Sequence, residues 1–339
     1  MAEKDSRQFV TLGMFIIDEL VYDAGEITRE QIGGGGTYAA IGARIWLPPN
    51  KVGMIVDRGH DFPSDVQTRL EHYGVDLWYF RDDKSRVTTR ARNTYVGDSR
   101  GFEYLTPRVR ITPRDLEGTS LARPAVLHFI CSPTRANAII SEVLEIPEWT
   151  PRTLFEPIPD RCVPEELPAL IQVMPHIEIL SPNADEALSL LSIPGPVTRQ
   201  QVEVACARFL EIGLGPEGMG FVIIRSGALG AYVASRSRPG RWFEAYWTKD
   251  DASHVVDVTG AGNAFLGGLA AGLQFADGDP FEATLYASVS ASFIIEQEGL
   301  PSLAIDETYQ TRGGSNAREI WNGELALERL EKMRKRIQQ

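Results

Sequence analysis

The segment Asp257-Val258-Thr259-Gly260-Ala261-Gly262-Asn263 puts two glycines, a hydroxyl and an amide within seven residues. The run Ala264-Phe265-Leu266-Gly267-Gly268-Leu269-Ala270-Ala271-Gly272-Leu273 follows and reads as a buried helix, since it is small and apolar throughout. Val255 and Val256 read as the end of the strand that feeds it. A helix start leaves backbone N–H groups unpaired, and the helix dipole adds partial positive charge there. Gly260 and Gly262 remove side chains, so an anion can come close to the backbone. The chemistry is anion binding, above all phosphate binding. Thr259 and Ala261 belong to the same turn. A glycine turn that only packs a strand on a helix is the plainer alternative; the Asp-x-Thr-Gly-x-Gly context favours phosphate. The side chain at the mouth is Asn263. An amide can hydrogen-bond a hydroxyl but takes no proton at neutral pH.

Other residues could share the work. Gly13-Met14-Phe15-Ile16-Ile17-Asp18 ends in a carboxylate, which can accept two hydrogen bonds and so suits a polyol; a strand-end aspartate in water is the alternative. Pro182-Asn183-Ala184-Asp185-Glu186 leaves a strand and starts a helix. Asn183 fits the N-cap there, with Glu186 in the first turn. Arg90 and Arg92 alternate with Ala91 and Asn93 and share one strand face. They either meet an anionic group or are solvated charges on an edge strand.

These residues need a frame. The apolar run at 9–17 predicts one buried strand, and 51–56 a second. Residues 37–47 and 62–73 have helical patterns. Residues 20–32 predict a hairpin, and 86–95 with 101–105 a second, more polar one. From Ala125 strands and helices alternate: strands at 126–130, 153–156, 177–180 and 221–225, helices at 135–144, 164–173, 184–191 and 199–212. Such alternation implies parallel strands with crossover helices, and ligands bind at the carboxyl ends of such strands. The expected fold is one α/β/α sandwich over 1–339, with a mostly parallel central sheet. The hairpins, at about 18–34 and 86–106, form a small β-sheet lid.

Composition excludes several classes. Of 339 residues, 46 are acidic and 34 basic, for a net charge of -12. A nucleic-acid partner needs the opposite field. No apolar run reaches the roughly 18–20 residues of a membrane span, and residues 1–8 are polar, without a secretory pattern. Cys131, Cys162 and Cys206 are odd in number and widely spaced, which argues against a disulfide framework or zinc site and for a cytoplasmic setting.

The turn at 257–263 resembles the second signature of the PfkB (ribokinase-like) carbohydrate and nucleoside kinases, Asp-Thr-x-Gly-Ala-Gly-Asp. In that family the closing aspartate is the general base, and Asn263 stands in its place. The likeness extends over most of the chain. Asp18 matches the first-strand aspartate that binds substrate hydroxyls. Gly33-Gly34-Gly35-Gly36 with Thr37 and Tyr38 resembles the Gly-Gly turn beside the acceptor. Tyr38 replaces a frequent asparagine; its ring either stacks on a substrate or serves as a core or cap residue. Gly34, Gly35 and Tyr38 are thereby implied in acceptor binding. Asn183-x-x-Glu186 resembles the pattern that organises waters around magnesium, which implies Glu186 as the metal-side carboxylate. Arg225-Ser226-Gly227-Ala228-Leu229-Gly230 resembles the Thr-x-Gly-x-x-Gly turn near the nucleotide. Arg225 replaces its threonine and either contacts a phosphate or blocks the nucleotide position. The segment 287–299 resembles the late helix bordering adenine. Within the family, fungal proteins of the killer-maintenance type are most similar, on the Gly59-His60-Asp61-Phe62 turn, Phe155-Glu156-Pro157, Asn263 and Glu296-Gln297-Glu298-Gly299-Leu300-Pro301.

The resemblance implies a phosphotransferase using ATP and Mg²⁺, with a monovalent cation as a further cofactor. The acceptor would be a small carbohydrate- or nucleoside-like molecule, and a homodimer could pair through the lid. Asn263 leaves a second reading open, a pseudokinase that binds nucleotide or metabolite without turnover. A Rossmann dehydrogenase fits poorly, because no G-x-G-x-x-G follows the first strand.

Overall fold

The computed structural model describes residues 6–22, 26–96, 99–306 and 318–338. A nine-stranded sheet runs in the order Arg238–Phe243, Ala231–Ser235, Phe221–Arg225, Ile179–Leu180, Arg152–Pro157, Val126–Cys131, Phe9–Thr11, Val52–Arg58 and Trp78–Asp82. All neighbours are parallel except the antiparallel strands that follow Phe221–Arg225. Alternate residues of each strand feed two cores, as a pleat with period two requires. Phe9, Leu154 and Ile223 point to one face, and Val10, Phe155 and Val222 to the other. Helices Gly35–Arg44, Ala261–Phe275 and Pro280–Ile294 cover the first face. Helices Pro133–Glu145, Leu167–Val173, Ala184–Leu190 and Arg199–Ile212 cover the second. The expected sandwich is the one observed.

The lid is a four-stranded sheet in the order Glu26–Gly33, Ile16–Tyr22, Arg90–Val96 and Ser99–Tyr104. The predicted single strand at 9–17 is therefore two. Phe9–Thr11 belongs to the large sheet and Ile16–Tyr22 to the lid. Both halves are buried, so the apolar run gave no sign of the change of sheet. The break falls where Gly13 crosses Gly36, where an added Cβ would lie 2.5 Å from the Gly36 Cα. A second expectation also fails: Val255 and Val256 end no strand. They leave a 3-10 helix, Lys249–His254, and the Val256 N–H donates to the Ile295 carbonyl at 2.7 Å. Part of the turn expected at 97–100 lies outside the described residues. Among the described residues no helix is long and apolar enough to cross a membrane.

The small residues of Ala261–Phe275 have a packing reason. A Cβ on Gly267 would sit 1.8 Å from the Ala39 carbonyl oxygen, and one on Gly42 would sit 2.1 Å from that of Ala264. The helices Gly35–Arg44 and Ala261–Phe275 thus touch backbone to backbone. Gly267→Ala is expected to destabilise the protein by about 1–3 kcal/mol, the usual cost of overpacking. A urea midpoint unchanged by this substitution would contradict that packing.

Candidate active site

The phosphate turn forms as its residue types dictate. The Asp257 carboxylate accepts the Thr259 N–H at 2.9 Å. Gly260 has φ 80°, left-handed, and caps the helix. The Tyr38 ring packs directly under Gly260, where a Cβ would meet it at 2.2 Å. Tyr38 is 2% exposed, and its ring supports the turn. The first-turn N–H groups of Gly262 and Asn263 open at the helix start.

What lies against that opening is a buried cluster of charges. Arg225 ends the strand Phe221–Arg225, and Glu156 lies near the end of Arg152–Pro157. The Arg225 guanidinium sits over Gly262, with Nη1 2.1 Å from where a Cβ would be. It pairs with Glu156 at 2.9 Å, lies 3.7 Å from Glu186 and donates to the Ser181 carbonyl at 3.0 Å. The Asn263 amide nitrogen donates to the second oxygen of Glu156 at 2.9 Å. His128 Nε2 lies 3.4 Å from that same oxygen, while its Nδ1 meets the Thr11 hydroxyl at 3.0 Å. Burial works to raise the Glu156 pKa, but Arg225, His128 and Asn263 outweigh it and hold the carboxyl below its ordinary value. Burial pushes Glu186 up to about 7, against the pull of Arg225 and the Asn183 N–H.

Asn183 and Glu186 form a complete capping box. Asn183 Oδ1 accepts the Glu186 N–H at 2.8 Å, and Glu186 accepts the Asn183 N–H at 2.7 Å. The turn after Arg225 closes through Ser226 N–H to the Gly230 carbonyl at 2.7 Å; Gly227 and Gly230 take positive φ. Gly34 also has positive φ, and a Cβ there would strike the Met14 carbonyl at 2.2 Å. The Asp18 carboxylate packs onto Gly33, and Asp18 is 4% exposed. Of the four residues expected to bind the acceptor, Asp18, Gly34, Gly35 and Tyr38, only Gly35 borders the cavity of about 570 Å³ beside the lid. Its Cβ position would be 3.1 Å from Asn263 Nδ2. Arg90 pairs with Glu30 and Asp61, and Arg92 with Glu19 and Glu103, so both are structural charges of the lid.

The Glu186 carboxylate, expected on the metal side, is engaged here by the Asn183 N–H and lies near Arg225. Among the described residues no three His, Cys, Asp or Glu side chains cluster to hold a metal ion. The carboxylates grouped around Arg225 beside the turn, Glu156 and Glu186, already share its cation. A second cation held by Glu186 would face that guanidinium, so these residues do not fit a protein-held divalent ion. Reading the sequence motif by motif left out Glu156 and His128 as site residues. The available signal was the strand end Phe155-Glu156-Pro157, a carboxylate closing an apolar run.

Residues 19–306 match the model of the pfkB family carbohydrate kinases. The chain belongs to that family. An uncharacterized protein of Schizosaccharomyces pombe is 34% identical to this pfkB member, over 95% of this chain and 91% of its own. Protein MAK32 of Saccharomyces cerevisiae is also 34% identical, over 97% and 94%. Among solved structures, Anopheles gambiae adenosine kinase in complex with a diadenosine tetraphosphate superposes with a TM-score of 0.68. It shares 17% identity and covers 88% of this chain and 99% of its own; that likeness establishes the ribokinase-like fold.

Two outcomes follow from the cluster. Arg225→Met strands two buried carboxylates without a cation, and is expected to destabilise the protein by about 3–5 kcal/mol, read from urea unfolding. Glu186→Gln keeps the capping box but removes the ionisation. The raised pKa of Glu186 means its contribution to stability is full below its ordinary value near 4.5 and is lost as pH rises through about 7. The variant should therefore gain on the wild type between pH 5 and pH 8, by roughly 1–3 kcal/mol at about 1.4 kcal/mol per pKa unit. Thermal melts with a pH-independent difference would refute this.

Proposed function

We propose that this protein is an ATP-dependent phosphotransferase acting on a hydroxyl of a small carbohydrate- or nucleoside-like acceptor, slowed by an amide where a proton acceptor would serve. The observation that carries the reading is the Gly260-Ala261-Gly262 helix start, whose next residue, Asn263, sets its amide against the turn at Gly35, with Nδ2 3.1 Å from where a Cβ on that glycine would stand. Family membership and the nucleotide complex of the adenosine kinase relative support ATP as donor. The nucleotide then lies along Asn183, Thr259 and the Gly227 to Gly230 turn, with its terminal phosphate on the helix start. Arg225 turns from Glu156 toward that phosphate and supplies the positive charge. Phosphoryl transfer depends mainly on positioning and electrostatics, so it proceeds without a base. The hydroxyl proton leaves to water. Lid-to-lid pairing of two copies belongs to this reading, since Tyr22 and Phe102 expose rings on that sheet.

A second reading has its own observation. Arg225 rests on Gly262, over the helix start that a phosphate would use. A regulatory protein that binds nucleotide or metabolite without turnover would keep this pair closed.

The test must respect Glu156. Asn263→Asp alone sets two carboxylates against each other, because the amide now donates to Glu156. The double substitution Asn263→Asp with Glu156→Gln exchanges amide and carboxylate at constant charge. Coupled ADP release is expected to rise by about 10²–10⁴ in the double variant, the usual worth of general-base assistance. Wild-type turnover that this exchange leaves unchanged would refute the assignment of Asn263 to the proton-acceptor place. Absence of turnover in both proteins, with ATP still bound, would favour the regulatory reading.

A further inference from the structure

Gln31, Asp18, Ala91 and Tyr104 stand side by side across the four lid strands. Residues directly opposite one another share a face of the sheet. Ile16 lies two residues before Asp18 on that same face, and both Ile16 and Tyr104 line the cavity beside the lid. The row therefore belongs to the cavity side of the lid. Gln31 is 5% exposed, and its Nε2 has no hydrogen-bond partner among the described residues. Charge fixes which end of the amide is the nitrogen. Arg29 Nη2 donates to Gln31 Oε1 at 3.4 Å, and a guanidinium can only donate. Arg29 is itself held by Glu298 at 2.6 Å. The same Oε1 lies 3.7 Å from where a Cβ on Gly299 would stand. The two ends of an amide diverge, so Nε2 turns away from that bridge. A buried donor without a partner has lost its hydrogen bond to water and gained none in return. A ligand oxygen restores it.

We propose that Gln31 is a specificity-determining residue for the acceptor: its Nε2 donates to a hydroxyl oxygen of a neutral polyhydroxy molecule, beside the Asp18 carboxylate, which accepts hydroxyl hydrogens. The inference rests on the phosphotransferase reading and names a residue of its acceptor site. A hydroxyl offers one hydrogen and two lone pairs. A donor and a carboxylate side by side therefore satisfy one hydroxyl, or two on adjacent carbons. Gln31 and Asp18 are directly opposed on antiparallel strands, where Cβ atoms stand about 5 Å apart, close enough for both to touch one diol. Asp18 beside the donor repels a carboxylate or phosphate, which selects a neutral oxygen. The Asp18 carboxylate packs on Gly33, two residues before Gly35, and Gly35 faces the Asn263 amide. Gln31 and Asp18 thus stand along the same glycine turn whose far end meets the phosphate turn. The hydroxyl they hold is a different one from the hydroxyl that is phosphorylated.

Gln31→Met keeps the length of the side chain and deletes the amide. On the full chain its urea midpoint is expected to equal or exceed that of the wild type, because the substitution removes an unpaired donor. Acceptor recognition is expected to fall. Calorimetric titration with D-ribose, D-fructose and adenosine measures it, together with coupled ADP release from the same three. The acceptor that the wild type binds most tightly should weaken about tenfold, with KM rising by the same factor. ATP affinity, titrated separately, should not move. A lower urea midpoint for Gln31→Met would show the amide to be structural and overturn the proposal. Unaltered acceptor affinity, equal weakening of ATP, or no binding of any of the three by the wild type would overturn it as well. ADP release indifferent to the substitution would overturn it and leave the phosphotransferase reading intact. Acceptor binding that depends on Gln31, with no ADP release, would support the acceptor site and overturn the phosphotransferase reading.

Discussion

The pairing of Arg225 with Glu156 sets the state of everything around the phosphate turn. A helix start attracts negative charge, and in this protein a resident carboxylate already lies beside it. Glu156 holds the Asn263 amide, so the side chain at the mouth has a fixed direction. Arg225 in turn reaches Glu186 and the Ser181 carbonyl, which ties the Asn183 capping box to the same charge. His128 borders Glu156 from the neighbouring strand. Three parallel strands and two helix starts therefore meet at one ion pair. Removing a partner from such a pair is far more damaging than its net worth suggests, because the remaining charge stays buried.

The frame that brings these groups together is made by absence of side chains. Gly13 against Gly36, Gly42 against Ala264 and Gly267 against Ala39 let backbones approach where any larger residue would collide. The lid has the opposite character. Its arginines Arg90 and Arg92 are spent on acidic neighbours, some on the lid strands themselves. Further basic residues stand just beyond the lid, at Arg108 and Arg110, and on the first turn of the Pro133–Glu145 helix, at Arg135.

Much of this was legible before any coordinates. The helix at Arg199–Ile212 and the strand at Phe221–Arg225 fall where the apolar periodicity put them. Asn183 and Glu186 carried their capping pattern in the spacing alone. What periodicity missed has a common cause. Residues 9–17 are buried apart from the half-buried Met14, so their pattern holds no record that the chain leaves one sheet for another. Val255 and Val256 are β-branched but exposed, at 39% and 60%, and a pattern of residue types is blind to exposure. The charge cluster was hidden for a different reason. Glu156 and Arg225 are 69 positions apart and became partners only when two strands and their neighbour were laid side by side.

The Tyr38 ring under Gly260 has a mechanical consequence. The helices Gly35–Arg44 and Ala261–Phe275 are wedged by that ring and by their bare backbones into one body. Neither can hinge against the other to bring two ligands together. The lid sheet meets this body at residues 12–15, at Gly34, and through 83–89 and 105–112, so any shutting of the cleft has to be shared among those joints.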